Sequence, residues 1–226
     1  MDVSRTALLI GEESVARLQK ASVCIFGVGG VGSYAAEAVA RCGVGHITIV
    51  DYDTVSPSNL NRQIPALIDT IGRQKVEVMA ERMRAINNMA EIVSVPSFCT
   101  PENVHTLIPI SCDYLIDAVD TVSAKLAIAE TAAKRGIPLI SCMGAGNKID
   151  PSKFQITDIY KTTTCPLCRV MRHELRKRGI EKLDVVYSTE QPRPVEPGKI
   201  GSIMYVTATA GLLAASYVIS KLADIK

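Results

Sequence analysis

Residues 23–63, VCIFGVGGVGSYAAEAVARCGVGHITIVDYDTVSPSNLNRQ, constrain the fold of this chain more than any other stretch. An apolar run, Val23 to Phe26, enters a glycine cluster, GVGGVG, from Gly27 to Gly32. A small-residue helical pattern then runs from Val31 to Arg41, and a second apolar run, His46 to Val50, ends in Asp51. Strand, glycine turn, helix, strand and acid, in that order, form the nucleotide-binding fingerprint of an open α/β sheet. Gly29 and Gly30 let the backbone approach a phosphate with no Cβ in the way, and Gly32 lets the helix pack close to its strand. The helix N-terminus offers unpaired N–H groups to an anion. Asp51, 19 residues beyond Gly32, is placed to accept hydrogen bonds from ribose hydroxyls. The pattern points to a nucleotide without saying which one.

The remaining chain continues the alternation. Residues 4–20 read as helix, with Ser4 as its cap and Gly11 breaking it in two. Further helices are expected over Gln74–Asn87, Pro101–Ile108 (capped by Thr100) and Ser123–Arg135, with strands at Glu91–Val95, Tyr114–Asp120 and Pro138–Cys142. This predicts an α/β fold with a doubly wound, mostly parallel sheet, whose ligands sit at the C-terminal strand ends. The glycine turn, Asp51, Asp117 and Asp120 all fall at such ends, so they are expected to converge on one site. Beyond Gly144 the pattern gives strands at Lys153–Ile159 and Val185–Ser188, a basic helix at Arg169–Gly179 and a proline-rich loop, QPRPVEPGKIG. We read residues 1–226 as one domain, with a nucleotide-binding core over 1–150 and 151–226 extending the same sheet.

Composition narrows the function classes. A hydrophobic share of 47% suffices for a sheet covered on both faces. A net charge of +2 and the lack of tryptophan confine any nucleic-acid contact to a local patch and argue against a base-stacking platform. Seven cysteines, mostly inside apolar runs, read as reduced core residues of a cytoplasmic protein. The first residues contain early acids and no leader-like apolar stretch. Residues 203–220 carry no charge over 18 positions, a marginal length for a membrane span. A helix buried in the domain or in a dimer interface is the preferred reading.

The run DYDTVSPSNLNRQ brings Asn59, Asn61 and Arg62 after the acid, with Arg73 and Lys75 shortly beyond. Cations beside a glycine turn suggest a polyphosphate. Together with GVGGVGS, GRQKVEV and the DAVD strand end, this run resembles the ubiquitin-activating-enzyme-like superfamily of ATP-dependent adenylating enzymes. The segments SRTALLIGEE, SCMGAGNKIDP (141–151) and YSTE (187–190) are similar to its tRNA threonylcarbamoyladenosine dehydratase branch. The resemblance implies a Rossmann-like ATP-binding fold. Gly29, Gly30, Gly32, Asp51 and Asp53 would belong to the nucleotide site, with Asp51 on the ribose. Asn59, Arg62 and Lys75 would meet the phosphates, and Asp120 would hold magnesium. Arg5 would reach the ATP site from a neighbouring subunit, and with Arg62, Lys75 and Asp120 it makes up the catalytic set. The implied reaction adenylates the carboxylate of threonylcarbamoyladenosine in tRNA and closes it into a ring with loss of water, in a homodimer. A monovalent cation and a cysteine desulfurase or sulfur-acceptor partner are left open.

Three other functions compete with this one. An adenylyltransferase for a ubiquitin-like sulfur-carrier protein would carry two CxxC pairs on a structural zinc, but only Cys165-Pro-Leu-Cys168 is present. The preferred reading is two cysteines at a loop-to-helix junction, without zinc. Leu183 and Asp184, where some relatives carry a cysteine, argue against a covalent thioester step. An NAD-dependent oxidoreductase has no need of Asn59, Arg62 and Lys75, and a non-catalytic nucleotide module would have lost Arg62, Lys75 or Asp120. Arg169, Arg172 and Arg176 share one helix face and are the candidate tRNA contacts.

Overall fold

The computed structural model describes residues 1–225. Its centre is β1 (Ser22–Phe26), buried along its whole length because both sheet faces are covered. On one side lie β2 (His46–Val50) and β3 (Glu91–Val95). On the other lie β4 (Tyr114–Asp117), β5 (Leu139–Cys142), β7 (Asp184–Ser188) and, at the edge, β6 (Phe154–Asp158). The order is β3-β2-β1-β4-β5-β7-β6, parallel throughout except for the β6–β7 pair. Phe26 pairs with Val50 on one flank and Asp117 on the other, so three strands end at one level. The order in which strands are added to the sheet reverses between β1 and β4, which opens the crevice where such sheets bind ligands.

One face is covered by α2 (Glu12–Lys20), α3 (Gly32–Arg41), α4 (Lys75–Ile86) and α8 (Met204–Ala223), the other by α5 (Val104–Leu107), α6 (Val122–Arg135) and α7 (Pro166–Lys177). The uncharged C-terminal segment is thus a helix laid across the sheet. Val206, Ala210, Ala214 and Val218 are buried, and a Cβ on Gly211 would stand 2.2 Å from the Val31 carbonyl oxygen at the start of α3. By length and hydropathy α8 is also the one helix among the described residues able to span a membrane.

Several boundaries differ from expectation for local reasons. The first helix does break at Gly11, giving α1 (Ser4–Ile10) and α2. Val3 is the N-cap and Ser4 the first helical residue, not the cap; the Ser4 N–H is taken by Asp2 Oδ1 at 2.8 Å. Asn103 Oδ1 accepts the Thr100 N–H at 2.8 Å, and α5 begins only at Val104. β4 stops at Asp117, three residues short of Asp120, because the chain turns over β1 there: Ala118 N–H donates to the Phe26 carbonyl at 2.8 Å.

Candidate functional site

The glycine turn is shaped by what it must pass. A Cβ on Gly27 would meet the Ala118 carbonyl oxygen at 2.7 Å, and one on Gly32 would meet the Gly27 carbonyl oxygen at 1.8 Å. Neither position admits a side chain, so this turn and the one after β4 are packed backbone to backbone. Gly29 and Gly30 face outward. A Cβ on Gly30 would sit 3.2 Å from the Arg62 stem, and one on Gly29 3.7 Å from Gln63 Nε2, so these side chains wall the mouth of the turn.

Asp51 closes the other wall. Its Oδ2 accepts the Val28 N–H at 2.7 Å and its Oδ1 the Asp53 N–H at 2.9 Å, which fixes the carboxylate across the ends of β1 and β2. Burial pushes its pKa up, partly offset by those two N–H groups and by Lys75. Asp53 lies 2.7 Å from the ammonium of Lys75, a residue only 4% exposed at the start of α4. A bridge between Thr54 and Gln74 brings these distant segments together.

Asn59 is turned inward. Its Oδ1 accepts the Ser56 N–H at 3.0 Å, and its carbonyl accepts N–H bonds from Arg62 and Gln63, so it shapes the turn that carries Arg62. The Arg62 guanidinium is half-buried and spends one nitrogen on the Ser58 carbonyl at 2.9 Å and Asn61 Oδ1 at 3.0 Å. Asp120 is exposed across the crevice. The charges of Asp53, Asp120 and Asp51 surround the Tyr52 hydroxyl and, with slight burial, push its pKa up. The Tyr52 ring meets Phe98 edge-on at 4.7 Å.

Asp117 does not join this set. It is fully buried beneath the turn, paired with Lys125 at 3.0 Å, and so corrects the expectation that both acids of the DAVD run face the ligand. Arg5 is also elsewhere within the chain. Val3 packs near Gly43, and the terminal ammonium donates to Asn88 Oδ1 at 3.1 Å. Both neighbours lie before β2 and β3, at the sheet end opposite Asp51, and Arg5 itself is exposed.

The open glycines, the Asp51 carboxylate and the Arg62 and Lys75 cations are groups of the kind that hold a nucleotide, and an unpaired amide oxygen can accept a hydroxyl or amino hydrogen. Two buried amide oxygens beside the site, Gln63 Oε1 and Gln74 Oε1, have no protein partner, and sequence reasoning missed both because a buried glutamine has no local signature. Among the described residues no three His, Cys, Asp or Glu side chains gather to cage a metal.

Cys165 and Cys168 sit at the buried start of α7. The Cys168 thiol and the N–H groups of Cys168, Gly144 and Leu167 hold Cys165 low, and Cys168 is driven up in turn. On α7, Arg169 is exposed, Arg176 stacks over the Tyr160 ring at 5.0 Å, and Arg172 is tied to the carbonyl and hydroxyl of Thr162. Arg178 and Lys177 are paired with Glu130 and Glu174.

Comparison with known proteins agrees with this architecture. Residues 3–226 match the ThiF family. The tRNA threonylcarbamoyladenosine dehydratase of Bacillus subtilis (strain 168) is 47% identical over 190 residues, 84% of this chain and 75% of that protein. The Escherichia coli (strain K12) protein of the same name is 42% identical over 213 residues, 91% of this chain and 79% of its own length. The crystal structure of the E. coli dehydratase in complex with ATP superposes with a TM-score of 0.91 at 42% identity, covering 97% of this chain and 92% of that one.

Proposed function

This chain belongs to the ThiF family, and from that premise we propose that it is a tRNA threonylcarbamoyladenosine dehydratase that uses ATP. The carboxylate of the modified adenosine attacks the α-phosphorus of ATP and pyrophosphate leaves. The activated carboxyl is then attacked from within the same group, the ring closes, AMP departs, and the nucleoside has lost one water. The observation that carries this reading is the ring of groups at the β1–β4 crevice: the open face of Gly29 and Gly30, the fixed Asp51 carboxylate, Arg62 and the buried Lys75.

Each group has a task in this chemistry. Asp51 orients the ribose. Lys75, released from Asp53, and Arg62 neutralise charge growing on the phosphate oxygens, and Asn59 keeps the Arg62 turn in place. Asp120 holds magnesium, which when bound supplies further positive charge to the phosphates. Arg5 lies at the wrong end of its own sheet, so it acts on the site of a second copy in a homodimer. Arg169 and Arg176 meet the tRNA backbone. The protein works in the cytoplasm, where its tRNA substrate is. The last 75 or so residues extend the same domain, supported by β7 pairing with β5 and by α8 packing on α3.

Pyrophosphate release from ATP, measured with and without threonylcarbamoyl-modified tRNA and alongside the mass of the nucleoside, tests the reading. Release that needs the tRNA, with the nucleoside lighter by one water, is the expected result. Release stimulated by a protein with a Gly-Gly tail instead would transfer the chain to the sulfur-carrier adenylyltransferases. No release under any condition would overturn both.

A further inference from the structure

Lys125 takes no part in the set described above, yet it is one of the most thoroughly buried charges in the molecule, 1% exposed in the first turn of α6. Its ammonium has three partners: Asp117 Oδ2 at 3.0 Å, Ser141 Oγ at 3.3 Å and the Cys142 carbonyl oxygen at 2.7 Å. Ser141 also donates to Asp117 Oδ2, at 2.5 Å. The remaining carboxylate oxygen, Asp117 Oδ1, accepts the Val119 N–H at 3.1 Å. Every donor of the lysine and both oxygens of the acid are therefore engaged, with no water needed. The network ties the end of β4 to the end of β5 and holds the first residues of the turn that leads to Asp120.

That turn has no slack elsewhere. Ala118 is hydrogen-bonded to Phe26, and its carbonyl and Cβ fill the space that side chains on Gly27 and Gly32 would need. A shift of the Asp117–Val119 backbone is transmitted both to the glycine turn and to Asp120. A buried ion pair is a poor device for stability alone, because well-packed apolar side chains of similar volume do as well or better. What it supplies is a fixed direction for each group it touches.

We propose that Lys125 is a positioning residue: acting through Asp117 and Ser141, it sets the Val119–Asp120 turn against the glycine turn and thereby places the Asp120 carboxylate for its metal. This deepens the reading given under Proposed function and rests on it.

The test compares the parent protein with Asp117→Leu/Lys125→Met, which removes both charges together and leaves no buried ion unpaired. A second variant, Ser141→Ala, removes one hydrogen bond and keeps the ion pair. Three quantities are read: the melting temperature, ATP binding by calorimetry with magnesium and with a chelator, and hydrogen exchange of the 118–120 amides. The double variant is expected to keep its melting temperature and its metal-free ATP affinity within about twofold. The magnesium-dependent gain in ATP affinity should fall roughly 10- to 100-fold, as a misplaced group of about 1 Å produces, and the 118–120 amides should exchange faster. Ser141→Ala should move the last two readouts in the same direction by less. If the double variant does not fold, Ser141→Ala alone decides between the outcomes. Unchanged magnesium dependence and exchange in a folded variant would reduce the network to a structural role. If the parent itself binds no ATP, the proposed function fails, and that result is distinct from a parent and variant that bind alike.

Discussion

The ammonium of Lys75 lies 2.7 Å from Asp53 Oδ2, but the two partners live in different surroundings: the lysine side chain is 5% exposed and the aspartate side chain 44%. Removing each should have a different effect. Lys75→Met leaves a half-exposed carboxylate, so the melting temperature should hardly move, while pyrophosphate release falls about 10²- to 10³-fold through loss of a charge on the phosphates. Asp53→Ala strands a buried ammonium and should cost about 1–3 kcal/mol of stability. Thermal melts run beside the activity assay separate the two. A large stability loss in Lys75→Met would count against its role at the phosphates.

Arg5 and Lys75 should complement each other across subunits. Arg5→Ala and Lys75→Ala homodimers are each expected to be nearly inactive, because every site in them lacks one of the two. Mixing them under subunit exchange creates heterodimers with one complete site, restoring about a quarter of parental activity for random pairing of a two-fold dimer. Failure to recover activity, with exchange verified by mass spectrometry, would place Arg5 outside the active site.

Among Cys24, Cys42, Cys99 and Cys142, reactivity should follow burial. Burial holds Cys99 and Cys142 at about 12 and pushes Cys24 well above the ordinary thiol value, so all three stay protonated at pH 8. Iodoacetamide should therefore modify half-buried Cys42 before these three, and urea should expose all seven. The sign of the linkage follows. A raised thiol favours the fold fully below the unfolded value of 9.0, and that contribution is lost as pH rises towards about 12. Peptide mapping after labelling and an alkaline melting series check both.

The three arginines of the α7 face should also separate. Replacing exposed Arg169 and ring-stacked Arg176 by alanine should weaken tRNA binding and lower the slope of log K against log salt by roughly one to two. Arg172→Ala should instead lower the melting temperature, because its guanidinium is committed to Thr162. Filter binding at several salt concentrations distinguishes the cases.

What could be read in the chain before folding was whatever is local. The passage from β1 through the glycines and α3 to Asp51 occupies about thirty consecutive residues of a known βαβ pattern, and each part appears where the pattern puts it. Asp117 shows the limit. An acid at a strand end looks the same in sequence whether it faces a ligand or a buried lysine, and only the burial of Lys125 separates the cases. Lys125 in turn sits among Ser123, Thr131 and Lys134 in a helix that reads as ordinary surface. The Asp53–Lys75 contact spans 22 positions and depends on one isolated bridge, which leaves no periodic trace. The insertion of β7 between β5 and β6 is equally silent, since strand order across a sheet is not written in any one strand.

The close approach of Gly211 to Val31 joins the last helix to one of the first. During synthesis, β1, α3 and β2 leave the ribosome well before the helix that covers them. Until then the alanine-rich flank of α3 is bare, and the nascent chain is a sheet with one face wet. The core on this face is therefore complete only once α8 has been made. A chain cut just before Met204 should yield a product that is captured by chaperones or degraded, although every residue of the nucleotide site is already in it.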